Sequence, residues 1–248
     1  MKQSQFYYLL RRGLLKSMSV VKEGLVMFNK FTTAGISHPA QGSASFDGSS
    51  DYIQLDTPFS YTNHTIAAWV YAEDDATNKY IFDNRDAFGD GIRVFSMTDE
   101  KIRYGINSSD LTTSNSYGNQ WVYIVGTYDG TTQKLYVDGS LDQSATTSQT
   151  ISVSSDSKIG SQNDTIQNWM DGNLANVAIW NRALSSDEIN SVMWKGYQSL
   201  SDSEQSGLQA WYSLDDVASP VASLATMEAL AVDKDATIEN KAAVTAAI

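Results

Sequence analysis

Apolar residues recur along this chain in short runs, separated by Gly, Asp, Asn and Ser. Spacing of that kind predicts strands joined by turns, not strands alternating with long helices. The predicted strands are Leu25–Phe28, Ser43–Phe46, Tyr52–Leu55, His64–Tyr71, Tyr80–Phe82, Ile92–Phe95, Ile102–Ile106, Trp121–Tyr128, Gln133–Val137, Ile151–Val153, Ser157–Gly160, Leu174–Trp180 and Leu208–Leu214. In His64–Tyr71 the residues Ile66, Ala68 and Val70 share one face, and Ala67, Trp69 and Tyr71 the other. A strand apolar on both faces belongs at the centre of a sandwich. Asp129-Gly130 and Asp138-Gly139 flank QKLYV, the strongest hairpin signal in the chain. One segment departs from the pattern. Ser185 followed by Glu188 is a capping box, and Ile189, Val192 and Met193 recur at helical spacing, which predicts one short helix ending near Trp194.

Composition narrows the function classes. A chain of 248 residues is long enough to bury its own core, and an all-β sandwich of this length is commonly one domain. A formal charge of -12 repels phosphate backbones, so nucleic acid is excluded as a partner, while divalent cations are favoured. The absence of cysteine removes disulfides, thiolate zinc sites and a cysteine nucleophile. His38 and His64 alone leave almost no material for a histidine metal site or triad. Arg11, Arg12 and Lys16 interrupt the apolar N-terminal stretch, so neither a signal peptide nor membrane insertion is expected there. The expected organisation is an N-terminal arm (1–22), a β-sandwich (23–216) and an Ala-rich C-terminal tail (217–248), read as a weak helix or an extended segment.

Four ordered segments carry a family resemblance: SASFDGSSDYIQL (43–55), HTIAAWVY (64–71), WVYIVGTYDGTTQKLYVDG (121–139) and DGNLANVAIWNRALSSDEI (171–189). Together they resemble laminin G-like and pentraxin-like domains of the concanavalin A-like lectin class. The resemblance implies an all-β fold, a concanavalin A-like two-sheet antiparallel jelly-roll sandwich with one short helix. Trp121 and Trp180 are expected to fill the space between the sheets, with Leu184 and Ile189 pinning the helix over one end. Where the family often carries Gly-x-Ile-Asp, this chain reads Gly172-Asn173-Leu174-Ala175, so any role of that carboxylate is not carried over. The opening YYLLRRGLL (7–15) also resembles proteins of tailed-phage virions.

Candidate chemistry follows. Glucanases of this fold carry Glu-x-Asp-x-x-Glu on one strand, because acid and nucleophile must flank one glycosidic bond. No such motif occurs here, so no enzyme activity is expected. Domains of the resembled family can bind calcium at one rim, and two loops resemble those positions: Phe88-Gly89-Asp90-Gly91 and Gly160-Ser161-Gln162-Asn163-Asp164. Calcium takes six to eight oxygen ligands, which Asp90, Gln162, Asn163 and Asp164 are candidates to supply. The same residue types also simply make turns. Phe88, Tyr117 and Trp169 are candidate aromatic platforms for a sugar, or else rim cover for the core. The expected function is a non-enzymatic virion structural protein: a capsid decoration, fibre or tail-associated subunit. Its expected partners are other virion proteins or copies of itself, and host-surface glycans. The alternative is a calcium-dependent carbohydrate- or protein-binding adhesin, extracellular or on a bacterial cell surface.

Overall fold

Period-two alternation becomes two facing antiparallel sheets. In the computed structural model the described residues are 42–55, 59, 61–74, 77–86, 89–151, 157–163, 167–214, 236–239 and 245–247, and all lie in the unit Ala34–Ile248. The predicted strand Leu25–Phe28 and most of Ile151–Val153 fall outside them. The strands are β1 (Ser43–Asp47), β2 (Tyr52–Leu55), β3 (His64–Ala72), β4 (Lys79–Asp83), β5 (Ile92–Ser96), β6 (Ile102–Ile106), β7 (Ser109–Thr112), β8 (Trp121–Tyr128), β9 (Thr132–Val137), β10 (Ser140–Thr146), β11 (Ser157–Ile159), β12 (Asp171–Trp180), β13 (Leu208–Tyr212), β14 (Ala236–Glu239) and β15 (Thr245–Ala247). The larger sheet runs β10-β9-β8-β3-β12-β1-β15, with β13 also paired to β12. The smaller runs β14-β2-β11-β4-β5-β6-β7. The two strands of the Ala-rich segment pair with β2 and β1, one on each sheet.

The main core lies between the sheets. Ile66, Ala68 and Val70 of β3, Val122 and Ile124 of β8, and Leu174, Val177 and Ile179 of β12 meet Ile53, Phe82, Val94, Tyr104 and Ile159 of the smaller sheet. Gly126 admits the Tyr104 ring; a Cβ there would lie 2.5 Å from it. The Tyr104 hydroxyl in turn meets His64 Nε2 at 2.7 Å, inside the core. His64 Nδ1 faces the carbonyls of Tyr61 and Thr62 at 3.2 and 3.3 Å. Burial depresses the His64 pKa to about 4, so the ring is neutral, with Nδ1–H as the donor and Nε2 accepting from the phenol.

Turn chemistry follows the expected rules. Asp138 and Gly139 both have positive φ (48° and 78°), and Val137 pairs directly with Ser140, a two-residue hairpin. Asp47-Gly48 moves the chain from one sheet to the other. The Asp47 carboxylate accepts from the backbone N–H of Ser49 and Ser50, each at 2.9 Å. Burial works against its ionisation, but these bonds outweigh it and hold its pKa at about 2.

A second apolar cluster covers the outer face of the larger sheet. Ala67, Trp69, Tyr123, Val125, Trp180 and Trp211 pack there against Leu184, Ile189, Val192 and Met193. The helix is α1 (Ser186–Val192), closed by the predicted capping box of Ser185 and Glu188. A shorter helix, α2 (Asp202–Gln205), repeats the device with Ser201 and Glu204 after a 3₁₀ turn at Tyr197–Ser199. Among the described residues there are therefore two short α-helices where one was expected. Trp121 and Trp180 also differ from expectation. They lie in the outer cluster, not between the sheets. For Trp180 the reason is register: β12 bulges around Asn176 (φ 49°), turning Val177 and Ile179 inward and Trp180 outward. For Trp121 it is alternation, since Val122 and Ile124 take the inner face of β8 and Trp121 shares the outer one with Tyr123 and Val125. Two of the buried indoles find carbonyls in the cover, Trp69 at Met193 (3.1 Å) and Trp180 at Glu204 (2.7 Å), while Trp211 Nε1 has no partner among the described residues.

Candidate binding face

The outer face of the smaller sheet has a different chemistry. Strand pairing places Gln54, Lys158, Asp83, Arg93, Gly105 and Asp110 opposite one another in turn, one row across six strands. Their partners across each strand, Ile53, Ile159, Phe82, Val94 and Tyr104, belong to the core, so this row faces outward. Within the row, charge alternates. Gly105 leaves a gap through which Arg93 reaches Asp110, with Nη2 to Oδ1 at 2.7 Å. A Cβ on Gly105 would sit 2.1 Å from the Asp110 carboxylate. Asp110 also accepts from Arg103 at 3.3 Å.

A second row, Tyr80, Phe95, Arg103 and Thr112, runs beside the first. The Tyr80 and Phe95 rings stack with centroids 4.8 Å apart and planes 8° from parallel. Arg85 lies over Tyr80 at 5.2 Å and Arg103 over Phe95 at 5.5 Å. The result is a four-layer stack of guanidinium, phenol, phenyl and guanidinium, in which each cation meets the negative face of a ring. Asp83 fixes one end with a two-point bond to Arg85, at 2.9 and 2.8 Å. Arg103 is the most exposed of the three arginines, at 30% against 12% for Arg93 and 11% for Arg85. Its buried Nε has no hydrogen-bond partner among the described residues.

Lys158 stands in the row between Gln54 and Asp83. Its side chain is buried, and Nζ donates to the Asn163 side-chain oxygen at 2.7 Å and to the Asn163 carbonyl at 3.2 Å. The Asn163 N–H donates to Asp83 Oδ2 at 3.1 Å, and its Nδ2 to the Arg85 carbonyl at 3.1 Å. The 161–163 loop is thereby joined to the start of the β4–β5 loop.

A laminin G family profile, described as the concanavalin A-like lectin/glucanases superfamily, matches residues 47–190. The chain belongs to this superfamily. Its fold is similar to that of a Bacteroides ovatus protein provisionally named carbohydrate-binding, at a TM-score of 0.61 and 14% identity, covering 84% of this chain. The chain spans 58% of that protein's length. It is also similar to the heptameric SAP-like pentraxin of Limulus polyphemus, at a TM-score of 0.50 and 17% identity, covering 63% of this chain and 83% of that one. At these identities the likeness is one of fold. No curated protein matches the chain.

Within this laminin G-like frame the residues singled out from sequence fall in several places. Phe88 and Asp164 lie outside the described residues. Gln162 and Asn163 sit in the rim loop after β11, and the bonds of Asn163 bring that loop against the β4–β5 loop that carries Asp90. Asp90 is exposed, and its backbone closes on Asp86, with its N–H donating to Asp86 Oδ1 (3.0 Å) and its carbonyl accepting the Asp86 N–H (2.8 Å). Both Asn163 oxygens proposed for calcium serve the Lys158 ammonium. Among the described residues no three acidic or histidine side chains converge. Tyr117 packs against the inner core, and burial pushes its phenol up. Trp169 is half-buried with its buried Nε1 unbonded, and its neighbour Asn168 accepts the Tyr80 N–H, which sets this segment beside β4. The arginine and aromatic rows were missed. The signal for them was present as alternation: Arg93 and Phe95 alternate with Ile92 and Val94 in IRVFS (92–96), and Arg103 and Gly105 with Ile102, Tyr104 and Ile106 in IRYGI (102–106).

Proposed function

We propose that this chain is a non-enzymatic glycan-binding module of a virion structural protein. The observation that carries the binding reading is the outer face of the smaller sheet. Planar guanidinium groups, held rigid by stacking and by paired carboxylates, are suited to the fixed hydroxyls and carboxylates of a sugar chain. The carbohydrate-binding name given to the Bacteroides ovatus protein supports the same reading. Cleavage is disfavoured on chemical grounds. Asp83 and Asp110 on this face are each engaged by arginine, whereas glycoside hydrolysis uses one carboxyl as an acid and a second as a base or nucleophile. The virion setting rests on the resemblance of YYLLRRGLL and on the acidic, cysteine-free composition. A glycan array probed with the whole chain and with the Arg93→Gln/Arg103→Gln double variant tests the module. The expected result is binding by the natural chain and at least a tenfold loss in the variant. Equal binding by both moves the site off this face, and release of reducing ends from a polysaccharide overturns the non-enzymatic reading. Mass spectrometry of purified particles tests the virion role, and consistent absence ends it.

A further inference from the structure

The superfamily's rim implies a calcium ion, but the corner built here is arranged around a different cation. We propose that the Lys158 ammonium is the resident cation of this rim, and that it holds the 161–163 loop in place without a divalent ion. The argument starts from what a metal does at such a site. It draws a carbonyl and an amide oxygen from one loop onto a positive charge and ties them to a neighbouring loop. Lys158 does each of these. Its Nζ takes both oxygens of Asn163, the side-chain one at 2.7 Å and the backbone one at 3.2 Å, as a chelated ion would. The Tyr52 ring lies on the charge as well, 5.9 Å from Nζ to the centroid. Asn163 in turn donates to the end of β4 and the start of the loop after it, from its backbone N–H to Asp83 and from Nδ2 to the Arg85 carbonyl.

Geometry in the sheet explains why the ammonium cannot easily leave. Lys158 is fixed in register between Gln54 and Asp83, on the outward side of β11, and its side chain is buried. The ladder therefore fixes the backbone that carries the ammonium. A divalent ion on the same Asn163 oxygens would stand beside a fixed positive charge, and like charges in a partly desolvated corner repel strongly. The acidic composition attracts cations to the chain in general, but at this corner the covalently attached cation is already in place.

Hydrogen exchange on the full chain tests the proposal. The amides of Ser161, Gln162 and Asn163 are followed by mass spectrometry in 5 mM calcium and in EDTA, at about pH 7. The natural chain is expected to show the same protection in both. Lys158→Met, which keeps the aliphatic stem and removes the charge, is expected to exchange at least tenfold faster at these amides, with Lys158→Arg intermediate. The proposal is overturned if EDTA alone speeds exchange of the natural chain tenfold, or if Lys158→Met leaves it unchanged. Should Lys158→Met fail to fold, Lys158→Arg and the calcium comparison on the natural chain still decide it. Exchange is read here, not glycan binding, so the outcome is independent of whether the outer face binds a sugar.

Discussion

The two sheets of this sandwich share one core but treat their outer faces in opposite ways. The larger sheet turns Trp69, Tyr123, Val125 and Trp180 outward and roofs them with α1 and the segment that follows it. The smaller sheet turns Lys158, Asp83, Arg93, Arg103 and Asp110 outward in rows of paired charge, with the Tyr80–Phe95 stack and the Tyr52 ring over Lys158 among them. The first arrangement gains from removing apolar area from water. The second gains less, because the attraction within its largely buried pairs is offset by the cost of taking both charges out of water. A face that returns so little stability for so many charged residues is where a binding role is to be sought, and the roofed face is where stability resides.

The comparison breaks first at Trp180. This side chain is fully buried, crosses Trp211 edge-on at 6.1 Å and donates to the Glu204 carbonyl. Trp180→Ala is expected to cost about 3–5 kcal/mol and to loosen the helical roof, because the cavity cannot be refilled by a short segment. Denaturant unfolding measures it; a cost below about 1 kcal/mol would mean that the roof is not part of the folded core.

Next in size is the acid response of the interior shared by both sheets. His64 has its pKa lowered from 6.5 to about 4 by burial, so its contribution is present above pH 6.5 and is lost as pH falls towards 4. The full loss is on the order of 3 kcal/mol. Asp51 works in the opposite sense. Burial, and then the nearby Asp47 charge, raise its pKa from 3.8 to about 6, so its contribution is present below 3.8 and is lost as pH rises through 6. Its Oδ1 is buried without a hydrogen-bond partner. Between pH 6 and 4 the two effects offset each other, and the natural chain is expected to show a shallow profile there. Asp51→Asn removes the offset and should make stability fall more steeply with acid over that window. Melting temperatures from pH 7 to 4 for both proteins settle this, and parallel curves would refute the assignment to Asp51.

The inner strands and α1 were legible in the sequence; the outward turn of Trp121 and Trp180 under the roof, and most of the charged face, were not. Strands β6 and β8 begin and end where their apolar alternation does, because both lie inside their sheets with neighbours on either side. The capping box at Ser185 is a local signal and marked α1 directly. β7 and β10 went unread because SDLT and SLDQSAT carry almost no apolar alternation; they are edge strands, held by backbone pairing on one side. Ser201 and Glu204 form the same box as Ser185 and Glu188, but four residues of α2 give no helical period to support it. The charged rows failed for a different reason. Arg93 and Arg103 are visible as outward residues of their own strands, but their meeting at Asp110 depends on the registers of β5, β6 and β7 together. Nor does any local pattern show that Lys158, four residues before Gln162, turns its ammonium onto Asn163.

The smallest expected effect is the most informative about the charged face. Arg103 stacks on Phe95 and reaches Asp110 only at 3.3 Å, while Arg93 holds the same carboxylate at 2.7 Å. Arg103→Gln leaves Asp110 paired and retains part of the aliphatic cover over Phe95. It also removes the buried Nε donor that has no partner, which offsets part of the loss. Stability should therefore change by no more than about 0.5 kcal/mol. If the face serves binding, glycan affinity should fall in this variant while the unfolding midpoint stays in place, the reverse of Trp180→Ala. A loss of more than about 2 kcal/mol on Arg103→Gln would instead make the guanidinium stack a structural brace across β4, β5 and β6, and the division of labour between the two outer faces would not hold.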